Sequence, residues 1–409
     1  MIENEEKNVN ENEENVSSEN ETSEITENNE ITEKLEEKEP EKFTENGKTY
    51  IDITSRYVNN DNLEEKAEDK EPEKKHVRTF NEIFHDFFLS VLPRKSDKTR
   101  EKIRKIIMDI SILTIIGCVI AFANLYHSRL VELKNAKEIK NLIQDDSSDN
   151  NTENEYNDGW TELFAQYPNI TFPEGMNLKY AYLYAVNSEL VGWITIPNTN
   201  LDVQVVQTED NDKYLKKDFY EKTSRYGCPY MDYRNNPQYL DDNTIIYGHH
   251  MSDGLMFSNL DKYKDVEGYK ESPVFQFDTL YDTYNCKVIG AFVTNSNASD
   301  DNNYIFNYTV TSFMSDEKFM SFVDEIKARS FFTTGVQVQA DDKLITLSTC
   351  SYEFSDARLV VVARLCREGE EPAVDTSLAS TNPSPKLPQA WYDAKGLENP
   401  YADAEKWTP

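Results

Sequence analysis

The sequence predicts a mainly β domain, most simply a closed barrel with flanking helices, set behind one membrane-crossing helix and a disordered acidic region. Short β-branched and aromatic runs bounded by turn residues recur between residues 191 and 365. A nearly uninterrupted apolar stretch, Ile106 to Tyr126, precedes them and matches the roughly 20 residues that cross a bilayer. The net charge of −32 is concentrated early, with 17 Glu against 5 Lys in residues 1–50.

Taken in order, residues 1–78 lack the apolar surface to offset their conformational entropy and read as a disordered, acidic cytoplasmic region. The near-repeat LEEKEPEK and LEEKAEDKEPEK, starting at Leu35 and Leu63, marks low complexity rather than a folded module. The acidic balance argues against nucleic acid as a partner. Residues 79–105 change character: Phe80, Ile83, Phe84, Phe87, Phe88, Val91 and Leu92 recur at helical spacing behind a capping box of Thr79 and Glu82. This amphipathic helix suits either a membrane surface, aided by Arg94, Lys95, Lys98, Arg100, Lys102, Arg104 and Lys105, or docking on its own chain or on a partner.

The basic cluster lies before the apolar segment 106–126, so the positive-inside rule places the N-terminus in the cytoplasm and everything after about 127 outside. Ala121-Phe122-Ala123 has the form of a signal-peptidase site, yet the region before it far exceeds the 15–30 residues of a signal peptide, so an uncleaved anchor is expected. A polar linker at 127–158 leads to a globular domain at 159–367, followed by a C-terminal extension at 368–409.

Within the domain, Trp160 to Tyr167 and Leu178 to Asn187 read as helices. Strands are expected at Val191 to Pro197, Leu201 to Gln207, Thr244 to Tyr247, Val274 to Phe277, Lys287 to Val293, Val336 to Gln339, Leu344 to Ser348 and Arg358 to Leu365. Ser315 to Ser330 places Phe319, Phe322, Val323 and Ile326 on one helical face, with Ser315 as N-cap.

The chain holds five Cys, four of them beyond the apolar segment, too few to staple a domain of this size. No Cys/His spacing suits a metal. Cys286 and Cys366 fall in apolar strands and read as inert packing, whereas Cys350 closes the run Thr346-Leu347-Ser348-Thr349-Cys350 and is followed by Arg358 at the start of the next run. A thiol and a cation so placed supply a nucleophile and an oxyanion partner, though Arg358 could instead pair with Asp356 or Glu353. A base is still required, and beyond His127 only the pair His249-His250 is available. Neighbours on an extended backbone point to opposite faces, so one of the two can serve.

Several of these segments together resemble the sortase family, class B, over residues 160–367. They are NSELVGWI from Asn187, Val205-Val206-Gln207 followed by Asn211-Asp212-Lys213-Tyr214-Leu215, Met231-Asp232-Tyr233-Arg234-Asn235, IIYGHHM from Ile245 with Gly254-Leu255-Met256-Phe257, and TLSTC with its arginine. The resemblance implies an eight-stranded β-barrel with N-terminal helices and a helix between the sixth and seventh strands, where Ser315 to Ser330 falls. It also implies a cysteine transpeptidase without metal or cofactor, in which His249, directly after the glycine, acts with Cys350 and Arg358, and Ser348 and Thr349 line the substrate groove. The implied partners are secreted proteins with a sorting signal of the NPxT-x or LPxTG kind, cut after threonine, and an acceptor amine of peptidoglycan peptide or a pilin lysine. A catalytically degenerate sortase-like binding or scaffold protein of the envelope is the alternative. The Asn382-Pro383-Ser384-Pro385 stretch is not expected to be a substrate, and the C-terminal extension is a candidate lid over the groove.

Overall fold

The computed structural model describes residues 42–45, 48–51, 79–143 and 153–409. It forms two compact units, one ending at Asp86 and one running from Phe87 to Pro409. In the first, β1 (Lys42–Glu45) and β2 (Lys48–Ile51) pair antiparallel with Phe43 opposite Tyr50. The expectation of disorder over 1–78 falls almost wholly on residues outside the described ones.

Helix α1 (Phe80–Val91) forms behind the expected capping box: the Thr79 N–H donates to Glu82 Oε2 at 2.9 Å and the Glu82 N–H to Thr79 Oγ1 at 3.4 Å. Its Phe80, Ile83, Phe84 and Phe87 are exposed. Helix α2 (Thr99–Lys140) is 42 residues long, and an 18-residue window with mean hydropathy 2.5 is wholly unburied, which is long and apolar enough to cross a membrane. The expected span 106–126 is its middle. The first part of the expected linker is helical too, because α2 docks on the domain there. Arg129 Nη1 donates to the Asp253 carbonyl at 3.3 Å, Asn135 Nδ2 to Asp218 Oδ2 at 3.3 Å, and Lys140 pairs with Asp202. Ile139 is buried among Leu163, Met176 and Leu183.

Helix α3 (Glu153–Gln166), a 3₁₀ turn (Leu178–Tyr180) and α4 (Ala181–Val186) follow, near the two helices expected here. They cover one side of the barrel by packing Leu163, Tyr180 and Leu183 against Trp193 and Val206.

Eight strands close the barrel: β3 (Leu190–Thr195), β4 (Asp202–Val206), β5 (Tyr230–Met231), β6 (Asn243–Tyr247), β7 (Val274–Thr279), β8 (Thr283–Asn295), β10 (Leu344–Cys350) and β11 (Ala357–Leu365). Around the barrel the order is β10, β11, β8, β7, β3, β4, β5, β6, and a parallel β6–β10 ladder closes it. The two-residue periodicity sorts β11 cleanly. Leu359, Val361 and Ala363 point into the barrel, while Val360 and Val362 face the helix outside.

That helix is α6 (Asp316–Arg329), between the sixth and seventh barrel strands in chain order; the preceding α5 (Val266–Glu271) is short. Ser315 caps α6 by accepting from the Lys318 N–H at 3.4 Å, and Phe319, Phe322, Val323 and Ile326 bury its inner face, each contributing about 2 kcal/mol.

One expected strand is absent from its place. Val336 to Gln339 forms no ladder; the alternation is real, with Val336 and Val338 buried against the α6 cluster, but the Gln337 carbonyl accepts from the Arg364 side chain at 2.8 Å. The eighth staff of the barrel is instead β5, two residues long, and too short to show a period. The C-terminal extension adds β12 (Ser380–Thr381), paired with β9 (Phe332–Thr333), and α7 (Gln389–Lys395), and seats Trp407 between Phe306 and Phe322.

Candidate active site

β10 ends on Cys350, and in its antiparallel ladder with β11 the residue directly opposite is Arg358. Opposed residues share a face with their Cα atoms about 5 Å apart, so thiol and guanidinium emerge side by side. On the other edge of β10, Ser348 pairs with Tyr247 and the Gly248 N–H donates to the Ser348 carbonyl at 3.1 Å. His249 therefore leaves β6 at the same end of the barrel as Cys350. All three side chains belong to partly exposed residues.

The His249 ring is held in place. Its Nε2 lies 2.8 Å from the Leu215 carbonyl, and since a carbonyl only accepts, Nε2 carries the proton. In the neutral ring, Nδ1 is then the basic nitrogen. The opposing wall is Gly227: a Cβ built there would stand 3.0 Å from His249 Cδ2, and its φ of +63° is one that glycine adopts without strain. His250 is turned away into a pairing with Asp261 Oδ2 at 2.7 Å, as expected of adjacent residues.

Arg358 Nη1 donates to the Ala357 carbonyl at 3.0 Å and the Asp356 carbonyl at 3.4 Å, and forms no ion pair among the described residues. Glu353, weighed above as its partner, pairs instead with Lys264. Ser348 and Thr349 are almost fully buried: the Ser348 hydroxyl is 2.9 Å from Tyr308 Oη, and Thr349 Oγ1 has no hydrogen-bond partner among the described residues. Of the remaining thiols, burial pushes Cys228 and Cys286 up, and Cys366 more modestly. No group of three or more potential metal ligands occurs among the described residues.

The strand register brings a thiol, an imidazole and a guanidinium to one barrel mouth, the residue types that acyl transfer requires. Residues 194–366 match the family model described as Sortase domain. Sortase B of Listeria monocytogenes is 35% identical over 185 residues, 45% of this chain and 72% of that protein. Sortase B of Staphylococcus aureus is 34% identical over 196 residues, 47% of this chain and 77% of that protein. The chain belongs to the sortase family. Its reaction class is accordingly that of the sortases, cysteine transpeptidation, and both named relatives are sortase B. Among solved structures, the Staphylococcus aureus sortase B–substrate complex is 32% identical and covers 51% of this chain and 92% of its own, with a TM-score of 0.43.

In the sortase domain a buried polar cluster lies beside β10, where Tyr247 pairs with Ser348. Asp232 is fully buried and accepts from Arg234 Nε and Nη2, both at 2.8 Å, and from Tyr247 Oη at 2.9 Å. Burial would raise its carboxyl, but these hydrogen bonds hold it below the usual carboxylate range. Tyr247 also packs on Tyr230 at 5.3 Å, and burial pushes the phenols of Tyr230, Tyr247 and Tyr308 up, so they remain neutral. Asp232, Arg234 and Tyr247 sit inside segments that carried the family resemblance, whereas nothing in the sequence around Tyr308 marks it as a partner of Ser348.

Proposed function

We propose that this chain is a membrane-anchored cysteine transpeptidase in which Cys350, His249 and Arg358 carry out the reaction. It cuts a C-terminal sorting signal of the NPxT-x or LPxTG kind after threonine and transfers the protein to an amine of peptidoglycan peptide or a pilin lysine. The observation that carries the assignment is the register that sets Cys350 opposite Arg358 with Gly248-His249 hydrogen-bonded onto the neighbouring edge.

Cys350 Sγ, as thiolate, adds to the threonine carbonyl carbon, and Arg358 stabilises the oxyanion. The C–N bond then breaks as His249 protonates the leaving amine, giving a thioester. The incoming amine adds to the thioester, returns a proton to His249, and expels the thiolate. Ser348 and Thr349 contribute to this reading by shaping the groove floor beside the thiol, since neither hydroxyl is exposed.

Residues 106–126 act as an uncleaved single-pass anchor, with 1–105 cytoplasmic and the domain at 159–367 outside. The length and apolarity of α2 and the basic cluster before its apolar part support this orientation. The exposed apolar face of α1 fits the lipid surface beside that cluster. Incubation of the purified protein with sorting-signal peptides should yield an acyl adduct on Cys350 by mass spectrometry, absent in Cys350→Ala. A folded protein that forms no adduct with any peptide of either kind would refute the proposal and favour a binding role.

A further inference from the structure

The C-terminal extension reaches the loop between Cys350 and Arg358. On α7, Trp391 Nε1 donates to Glu353 Oε2 at 3.1 Å. The other oxygen of Glu353 faces Lys264 Nζ at 3.4 Å, and Lys264 pairs with Asp261 Oδ1 at 3.0 Å. Asp261 Oδ2 in turn holds His250 Nε2 at 2.7 Å, next to His249 in the chain. A second strut runs parallel: Tyr352 Oη donates to the His250 carbonyl at 3.3 Å, and its ring stands edge-on to the His250 ring at 5.1 Å.

The members of this path come from four separate segments, His250 lying on the stretch that leaves β6. Asp261 and Lys264 lie on the 3₁₀ helix Phe257–Lys264, whose first N–H donates to the His249 carbonyl at 3.0 Å. Tyr352 and Glu353 lie on the six-residue connection from β10 to β11. Trp391 is presented rigidly, because the extension is fixed on both sides of it. The Gln389 N–H donates to Asp301 Oδ1 at 2.7 Å, Lys386 pairs with Glu325 at 3.0 Å, and Trp407 Nε1 donates to Ser321 Oγ at 3.0 Å. Burial would raise the Asp261 carboxyl, but the hydrogen bond with His250 and the ion pair with Lys264 hold it below its usual range, so it remains a charged link.

We infer that Trp391 is a positioning residue for the transpeptidase: through Glu353, Lys264, Asp261 and His250 it ties the loop between Cys350 and Arg358 to the segment bearing His249. The extension is thereby a working part of the active site rather than a cover for α6. A hydrogen bond to a carboxylate that is itself ion-paired restrains both loops at once, and a shift of either alters the thiol–imidazole geometry on which acyl transfer depends. This rests on the assignment of Cys350 and His249 made above.

The test is the rate at which Cys350 is alkylated by iodoacetamide across pH 5 to 9, read site by site by mass spectrometry on the full chain in detergent. Trp391→Phe keeps the ring and removes only the donor. It should slow alkylation about fivefold to tenfold near neutral pH and move the midpoint of the pH profile. Glu353→Gln should do the same, and the double variant should be no slower than the worse single one, because both break one path. Ser315→Ala removes the cap of α6, touches no member of this path, and should lower thermal stability without moving the profile. Cys350 labelling that depends on His249 but stays within about twofold of wild type in Trp391→Phe overturns the inference, as do single effects that multiply. Labelling indifferent to His249→Ala overturns the catalytic assignment, and the inference with it.

Discussion

Replacing Gly227 by alanine tests whether the imidazole position of His249 is set by its wall. The new methyl carbon would lie 2.5 Å from the Tyr214 carbonyl oxygen and 3.0 Å from His249 Cδ2, both closer than carbon normally approaches. The Tyr214 carbonyl is held by the Cys228 N–H at 3.0 Å, so relieving the clash shifts the Tyr214–Leu215 backbone, and the His249 ring bonded to the Leu215 carbonyl moves with it. The left-handed conformation at φ +63° adds about 1 kcal/mol of strain for a residue with a Cβ. With the contact, the total is about 2 kcal/mol, a fall in Tm of about 4–8 °C for a domain of this size. Displacing a proton-transfer group by about 1 Å costs on the order of 10²-fold in rate. Acylation of Cys350 by a sorting-signal peptide, followed by mass spectrometry alongside thermal unfolding, separates the two effects. The expected result is a folded protein, slightly less stable and about a hundredfold slower. A Gly227→Ala protein with the normal acylation rate would refute the view that His249 is placed by the Leu215 carbonyl and the Gly227 wall.

Arg358→Lys keeps the charge but loses the planar fork, so acylation should fall by roughly 10²-fold while peptide binding, measured on a Cys350→Ala background, changes less. Glu132, on the part of α2 that docks on the domain, is buried facing Asp218 and Asp253, with Arg129, Tyr226 and Cys228 also nearby. Burial first, then these two carboxylates, raises its carboxyl from 4.5 to about 7. A raised carboxyl contributes stability that is full below its unfolded value and lost as pH rises through the folded one. Docking of α2 should therefore weaken between about pH 4.5 and 7, by up to about 3 kcal/mol, and Glu132→Gln should flatten that slope in hydrogen exchange of residues 127–140. Ser315→Ala should cost about 1 kcal/mol through the lost cap of α6, read by chemical denaturation, with the acylation rate of the remaining folded protein unchanged.

Much of this arrangement was legible because it is local. The Thr79–Glu82 box, the Ser315 cap, the α6 stripe and the apolar core of α2 are all written within a few turns of chain, and each formed near its expected place. The order Gly248-His249, Cys350, Arg358 could be read because each residue sits at the end or start of a strand with its own β-branched run. Where the reading failed, the deciding contact was distant. Val336 and Val338 alternate like a strand yet pair with none, because the Arg364 side chain occupies the carbonyl between them. The barrel position went to Tyr230–Met231, fixed by neighbours on both sides rather than by its own pattern. The contacts of the extension are distant in the same way: Trp407 fills the aromatic cluster of α6, and α7 carries Trp391 to Glu353.

The sequence alone determined which residues could do chemistry here, since a thiol, an imidazole and a guanidinium are properties of side chains, and helix caps and apolar periods are properties of short segments. The tertiary structure decided how they meet. A parallel ladder between β6 and β10 joins residues about 100 apart, and no local period encodes such a pairing. The same holds for the Leu215 carbonyl that fixes the His249 proton on Nε2 and for the path from Trp391 to His250, because a hydrogen bond depends on distance in space and not along the chain.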